Sequence, residues 1–214
     1  MYDLLIFDLD GTIIDSAGDF HNCLSLLLER RNLPKMPLEQ TQSYLGNGFK
    51  NFIESLYPHP TQEIKQTVYQ EFLDEFDRQF LKTTTLFDGA REFLSTTSKR
   101  IALCTNQPQK YAQQTLKHFE IYGLPWESYV YGDTFEAPKP DPEGISHILE
   151  MSGVSPSKAL MIGDGVPDAM AAKNAGIDFL GVDFGYHPKE ELLKLGAIST
   201  FSAYSVLENF LHSV

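Results

Sequence analysis

The chain has 214 residues, 42% of them hydrophobic and 21% charged, which suits a globular protein with one core domain plus an insertion, or two modest domains. Its formal net charge is -12, from 29 acids against 17 bases, so its surface field repels a phosphate backbone and argues against broad nucleic-acid binding. No apolar run reaches the length of a membrane span, and no basic segment precedes the first apolar stretch, so neither a membrane anchor nor a secretory signal is expected.

Residues 2–9 read as the first strand, an apolar run of the kind buried on both faces of a sheet. It ends in Asp8-Leu9-Asp10-Gly11-Thr12. Taken alone, two acids and a glycine there fit either an Asp-Gly turn or a metal-assisted reaction at a strand end. From Asp15 to about Thr85 the texture is helical. Phe20, Cys23, Leu24, Leu27 and Leu28 recur at helical spacing, so 17–31 is expected as an amphipathic helix, closed by Pro34 and Pro37. A short helix opens at Pro37, and 48–57 and 61–81 are further helical candidates. No convincing strand is legible in this segment, which reads as a four-helix insertion outside the sheet. Cys23 and Cys104 lie in apolar surroundings without a Cys-x-x-Cys partner, and are expected as buried thiols in a reducing, cytoplasmic compartment.

From Asp88 strand and helix alternate. Helices are expected at 88–97, 108–119, 142–151, 166–175, 188–194 and 203–212; strands at 101–105, 129–131, 159–163, 179–182 and 197–200. Such alternation means an α/β fold with a doubly wound parallel sheet. The strands end at Asp8, at Thr105-Asn106 and at Gly163-Asp164, and Lys139 stands between prolines 138 and 140. In such a sheet these ends face one crevice, so Asp8, Asp10, Thr105, Lys139 and Asp164 are expected to meet.

In order and spacing, Asp8-Leu9-Asp10-Gly11-Thr12, Thr105-Asn106, Lys139-Pro140 and Gly163-Asp164 with Asp168 resemble the haloacid dehalogenase-like superfamily of phosphohydrolases. The resemblance runs along nearly the whole chain. It implies a Rossmann-like core of residues 1–14 and 86–214, with a small helical cap of residues 15–85 inserted after the first strand. It implies Asp8 as the nucleophile, Asp10 as the general acid and then base, and Lys139 as partner of Asp8 and the phosphate. Mg2+ would be bound by Asp8, the Asp10 carbonyl and Asp164, with Asp168 holding a metal water or Lys139. Gly11, Thr12, Thr105 and Asn106 would contact the phosphoryl group. The Lys-Pro bond is often cis in such proteins. Gly165 departs from the family's usual hydroxyl residue, which puts the rigidity of that loop in question. Phe87-Asp88-Gly89 stands where an aromatic-Pro-Gly turn is common.

Thr12 and Asp10 together favour a phosphatase over mutase, dehalogenase or phosphonate-cleaving relatives. The run Tyr44-Leu45-Gly46-Asn47-Gly48-Phe49-Lys50 resembles the substrate-facing cap loop of phosphoglycolate phosphatases, with Gly46, Asn47, Gly48 and Lys50 as substrate contacts; Gly-Asn-Gly also occurs in ordinary turns. The expected activity is Mg2+-dependent hydrolysis of small phosphomonoesters, phosphoglycolate leading. Pyrophosphate, nucleotide or sugar-phosphate hydrolysis is the alternative within the family, and a phosphate-binding or partner-binding protein without turnover the alternative outside it. The expected partner is a small phosphorylated metabolite, with no nucleic acid and no membrane, the chain being monomer or homodimer. The crossings near Asp15–Ala17 and Thr84–Asp88 would let a cap open and close.

Overall fold

A computed structural model describes residues 1–45, 53–54, 56–57 and 59–213. Contacts divide the chain into two compact units, Met1–Ile14 with Leu86–Val214, and Asp15–Thr85.

The larger unit is built on β1 (Leu4–Phe7), every residue of which is buried. Around it lie β4 (Arg100–Cys104), β5 (Trp126–Val130), β6 (Ala159–Gly163), β7 (Asp178–Val182) and β8 (Ser199–Phe201). The sheet order is β5-β4-β1-β6-β7-β8, and every pairing is parallel. The remaining pair, β2 (Ile14–Asp15) and β3 (Thr85–Leu86), forms a two-stranded sheet where the chain passes from one unit to the other. Two-residue strands are too short to show a periodicity, so the expectation of no strand there is corrected at its edges.

Alternation along β1 separates two cores. Leu5 and Phe7 join one, with Phe93 and Leu94 of α4 (Ala90–Thr96), Ala112 and Leu116 of α5 (Gln109–His118), and Tyr204 and Leu207 of α9 (Tyr204–Ser213). Leu4 and Ile6 join the other, with Ile145 and Ile148 of α6 (Glu143–Ser152), Ala169 and Ala172 of α7 (Val166–Ala175), and Leu192 of α8 (Lys189–Lys194). A strand apolar on both faces must be covered on both, and this fixes the three-layer arrangement.

Two strands differ from expectation. The first is shorter: it ends at Phe7, and although the Asp8 N–H still donates to the Ile162 carbonyl at 2.9 Å, the chain turns at Leu9, whose carbonyl accepts from Ile13 and Ile14. The strand expected at 129–131 begins at Trp126. It is a sheet edge with a register irregularity opposite Ile101 and Leu103, and its Glu127 is exposed and paired with Arg100. Polar residues on an edge strand hid its first half from an apolar pattern.

The smaller unit packs α1 (Ala17–Arg30) and α2 (Leu38–Gln42) with α3 (Gln62–Gln79). Phe20 of α1 meets Phe72 of α3 edge-on at 5.3 Å between ring centres. Thr61 caps α3 by accepting from the Ile64 N–H. Most of the helix expected at 48–57 lies outside the described residues. Asp19, fully buried in the first turn of α1, accepts from the Thr83 N–H and hydroxyl, each at 2.7 Å, and from the Thr84 hydroxyl at 2.6 Å. Replacing it leaves the buried Thr84 hydroxyl without this acceptor and removes the partner of two donors on the exposed Thr83. Asp19→Ala is therefore expected to lower stability by about 2–4 kcal/mol, read from urea unfolding. Glu29→Ala, on the exposed side of the same helix, should change it by under about 0.5 kcal/mol.

Candidate active site

Register places the site. Phe7 pairs with Leu103 on one side and Ile162 on the other, so the next residues out, Asp8, Cys104 and Gly163, lie level with one another. Asp164 and Thr105 follow one position further. Three adjacent strands thus end together where the connections leave β1 in opposite directions, as at the switch point of an open parallel sheet.

Lys139 comes from the loop after β5, across a cis bond to Pro140. Its carbonyl accepts from the Asn106 side-chain amide at 2.9 Å, and the Pro140 carbonyl accepts from Asn174 at 3.1 Å. Held at these points, the buried Lys139 Nζ donates to Asp8 Oδ1 at 2.7 Å and to Asp168 Oδ1 at 2.6 Å. Asp168 Oδ2 accepts from the Gly165 N–H at 3.0 Å, which closes the first turn of α7. That main-chain bond keeps the loop at Gly165 fixed without a side chain there. Asp164 Oδ2 accepts from the Tyr186 N–H at 2.7 Å.

Glycines make this convergence possible. Gly11 has φ +77°, and a Cβ on it would lie 2.3 Å from Asp164 Oδ2. A Cβ on Gly185 would lie 2.2 Å from the Asp164 Cβ. The Asp164 carboxylate therefore sits against bare main chain from two loops.

One oxygen each of Asp8, Asp164 and Asp168 falls within a cluster no wider than 4.8 Å, and all three residues are buried. One ammonium faces three acids. Burial first, then the charge of Asp168, pushes the Asp8 carboxyl up to about 7, against the pull of Lys139. Burial, Asp168 and Asp8 likewise raise Asp164 well above the usual carboxylate range. Burial alone would pull Lys139 down, but the charges of Asp168 and Asp8 overcome it and hold the ammonium above its ordinary value. Cys104, behind the cluster, is pushed up to about 12 by burial and stays a neutral thiol.

This uncompensated negative charge fits a divalent cation. Both oxygens of Asp168 are taken by Lys139 and Gly165, whereas Asp8 Oδ2 and Asp164 Oδ1 have no hydrogen-bond partner among the described residues. A small all-oxygen donor set suits Mg2+.

The other expected contacts are placed as follows. The Thr105 hydroxyl accepts from the Gln107 N–H at 3.0 Å and keeps its own proton to donate. Thr12 is fully buried; its carbonyl accepts from the Tyr204 hydroxyl at 2.9 Å, and its own Oγ1 has no hydrogen-bond partner among the described residues. Asp10 accepts from Gln107 Nε2 at 3.2 and 3.3 Å. Gly46, Asn47, Gly48 and Lys50 lie outside the described residues. Gln107 and Tyr204 did not emerge from the sequence, since neither belongs to a run of spaced acids or apolar residues. Only the place of Gln107, next to Asn106 at a strand end, was available as a signal.

The sequence model of the haloacid dehalogenase-like hydrolases matches residues 5–182. A phosphoglycolate phosphatase of Psychrobacter arcticus is 26% identical over 97% of this chain and 95% of its own. One of Pseudomonas savastanoi pv. phaseolicola is 30% identical over 86% of this chain and 70% of its own. Among solved structures, a Bacteroides fragilis protein described as haloacid dehalogenase-like superposes with a TM-score of 0.90 at 23% identity, over 97% of this chain and all of that one. Among the described residues no helix is long and apolar enough to cross a membrane.

The charge imbalance has a consequence for stability. Unfolded, an aspartate ionises near about pH 4; folded, Asp8 keeps its proton up to about pH 7 and Asp164 is raised in the same sense. Between these values the folded chain binds more protons, so its stability falls as pH rises through that window. Without metal, Tm should be lower at about pH 7.5 than at about pH 5, with a shallower fall in Asp8→Asn. Millimolar Mg2+ should raise Tm more at the higher pH, because the ligands must be ionised to bind it. Thermal unfolding with EDTA or with Mg2+ at both values checks this; a larger Mg2+ gain at the lower pH would contradict it.

Proposed function

The chain belongs to the haloacid dehalogenase-like hydrolases, and from that premise we propose that it is a Mg2+-dependent phosphatase of small phosphomonoesters, with phosphoglycolate as the leading substrate. The observation that carries this reading is Asp8 itself. It stands just past the end of β1, one oxygen fixed by a buried Lys139 and the other without a hydrogen-bond partner among the described residues.

Uncatalysed phosphate-monoester hydrolysis is so slow that roughly 20 kcal/mol of barrier must be removed. Dividing the reaction at Asp8 supplies part of that. A carboxylate oxygen of Asp8 attacks phosphorus, the ester P–O bond breaks, and its electron pair goes to the departing alcohol oxygen. Asp10 gives that oxygen a proton and is left as a carboxylate. A water then attacks the aspartyl-phosphate and gives its proton to Asp10, the bond to Asp8 breaks, and inorganic phosphate leaves. Asp8 is again a carboxylate and Asp10 again carries its proton, so one water has been consumed.

Lys139 holds the plane of Asp8 and offers positive charge to the phosphoryl oxygens. Thr105 donates its free hydroxyl proton to one of them. Asp168 keeps Lys139 in place from the other side and so acts through it. Asp8, Asp164 and the Asp10 carbonyl would hold Mg2+, which when bound supplies charge neutralisation for the phosphate and for the attacking anion. The name shared by the Psychrobacter and Pseudomonas relatives supports glycolate as the alcohol, and Lys139, with a cation held by the acids, would overcome the acidic surface locally.

Asp8→Asn removes the attacking anion while keeping the shape, and should lower kcat on 2-phosphoglycolate by at least about a thousandfold. Phosphate release measured with and without Mg2+, over a panel of phosphoglycolate, sugar phosphates, nucleotides and pyrophosphate, is the test. Mg2+-dependent turnover that survives Asp8→Asn would remove the nucleophile assignment. A kcat/KM for another panel member above that for phosphoglycolate would reassign the substrate.

A further inference from the structure

Gln107 follows Thr105-Asn106 and precedes Pro108 at the start of α5. Its main chain is fixed at both ends: the N–H donates to Thr105 Oγ1 at 3.0 Å, and the carbonyl accepts from the Gly132 N–H at 3.0 Å. A Cβ on Gly132 would lie 2.1 Å from the Asn106 carbonyl oxygen, so this loop and the one after β5 pack main chain against main chain. From that firm base the side-chain amide reaches the loop after β1. There Nε2 donates to both oxygens of Asp10, at 3.2 and 3.3 Å.

A donor shared between two carboxylate oxygens fixes the direction of the carboxyl group as well as its distance. The far end of the amide tells against a packing role. Gln107 Oε1 is buried and has no hydrogen-bond partner among the described residues. A buried polar atom left unpaired is unfavourable, and Leu or Met would fill the same volume without it. An amide, however, offers a carboxyl group both hydrogen-bonding senses. Here Nε2 supplies the donor from which both Asp10 oxygens accept, which an apolar side chain of the same size lacks.

We propose that Gln107 is a positioning residue for ester cleavage, aiming the Asp10 carboxyl at the oxygen of the departing alcohol. The proposal rests on the reading of Asp10 as the general acid. In that step the ester P–O bond breaks, its electron pair goes to the alcohol oxygen, and the Asp10 proton follows; Gln107 exchanges no proton. Its benefit is therefore greatest where the departing oxygen most needs a proton, in alkyl esters. It is small for p-nitrophenyl phosphate, whose phenolate leaves unprotonated.

The experiment compares kcat/KM, which covers all steps through ester cleavage, for 2-phosphoglycolate and p-nitrophenyl phosphate in the Mg2+-loaded protein. The variants are Gln107→Leu, the longer Gln107→Met, Asp10→Asn and the double variant Asp10→Asn with Gln107→Leu. With either Gln107 variant, the alkyl ester should lose about thirtyfold, carried by kcat with KM little changed, and the aryl ester less than about threefold. Gln107→Leu should add nothing to Asp10→Asn, because the residue it positions is already gone. Equal losses on the two esters, or a Gln107→Leu loss that persists beside Asp10→Asn, would overturn the proposal. The acid assignment fails separately: Asp10→Asn cleaving the alkyl ester at the wild-type rate removes that reading. Loss in Asp10→Asn with wild-type rates in both Gln107 variants removes only the positioning role.

Discussion

One buried ammonium organises the ends of the central strands. Lys139 Nζ stands between Asp8 and Asp168, and a further acid, Asp164, falls in the same cluster. Without that ammonium, three buried carboxyl groups would face one another in a medium where unpaired charge is heavily penalised. The lysine is not left to find its place. Asn106 and Asn174 grip the main chain on either side of the Lys139-Pro140 bond. Asp168 in turn ties the charge to a fold element, because its second oxygen closes the first turn of α7. Charge balance and helix placement are thus one arrangement. The residual negative charge that it leaves is what a divalent cation would answer.

Much of this was legible in the residues. Leu4 to Phe7, apolar at every position, reads as a strand covered on both faces, and the alternation after Asp88 implies the parallel sheet around it. Asp8, Thr105 and Asp164 stand just beyond the apolar runs of three such strands, which places them together from the sequence alone. Strand β5 was half hidden because an edge strand presents polar residues to water, and Glu127 paired with Arg100 looks like a loop in sequence. The part played by main-chain atoms was also invisible. Gly165 has no side chain, yet its N–H holds Asp168; the Tyr186 N–H does the same for Asp164. Side-chain patterns carry no record of a peptide N–H. Gln107 escaped for a different reason, since a single amide next to a motif has no spacing to betray it. Substrate choice reads from the sequence at Gly46–Lys50, whose Gly-Asn-Gly run is shared with ordinary turns and which lies outside the described residues.

The bond from the Tyr204 hydroxyl to the Thr12 carbonyl spans 192 positions of chain. It joins the loop that carries Asp8 and Asp10 to the first residue of the last helix. Every strand of the six-stranded sheet except β1 lies between these two residues in the chain. β1 likewise finds its sheet neighbours β4 and β6 far along the chain, at Arg100–Cys104 and Ala159–Gly163. Strands that pair with partners so distant in sequence are slow to find them. The loop of Asp8 and Asp10 is thus braced by a residue that comes after every strand of the sheet, so its placement depends on the whole sheet having assembled.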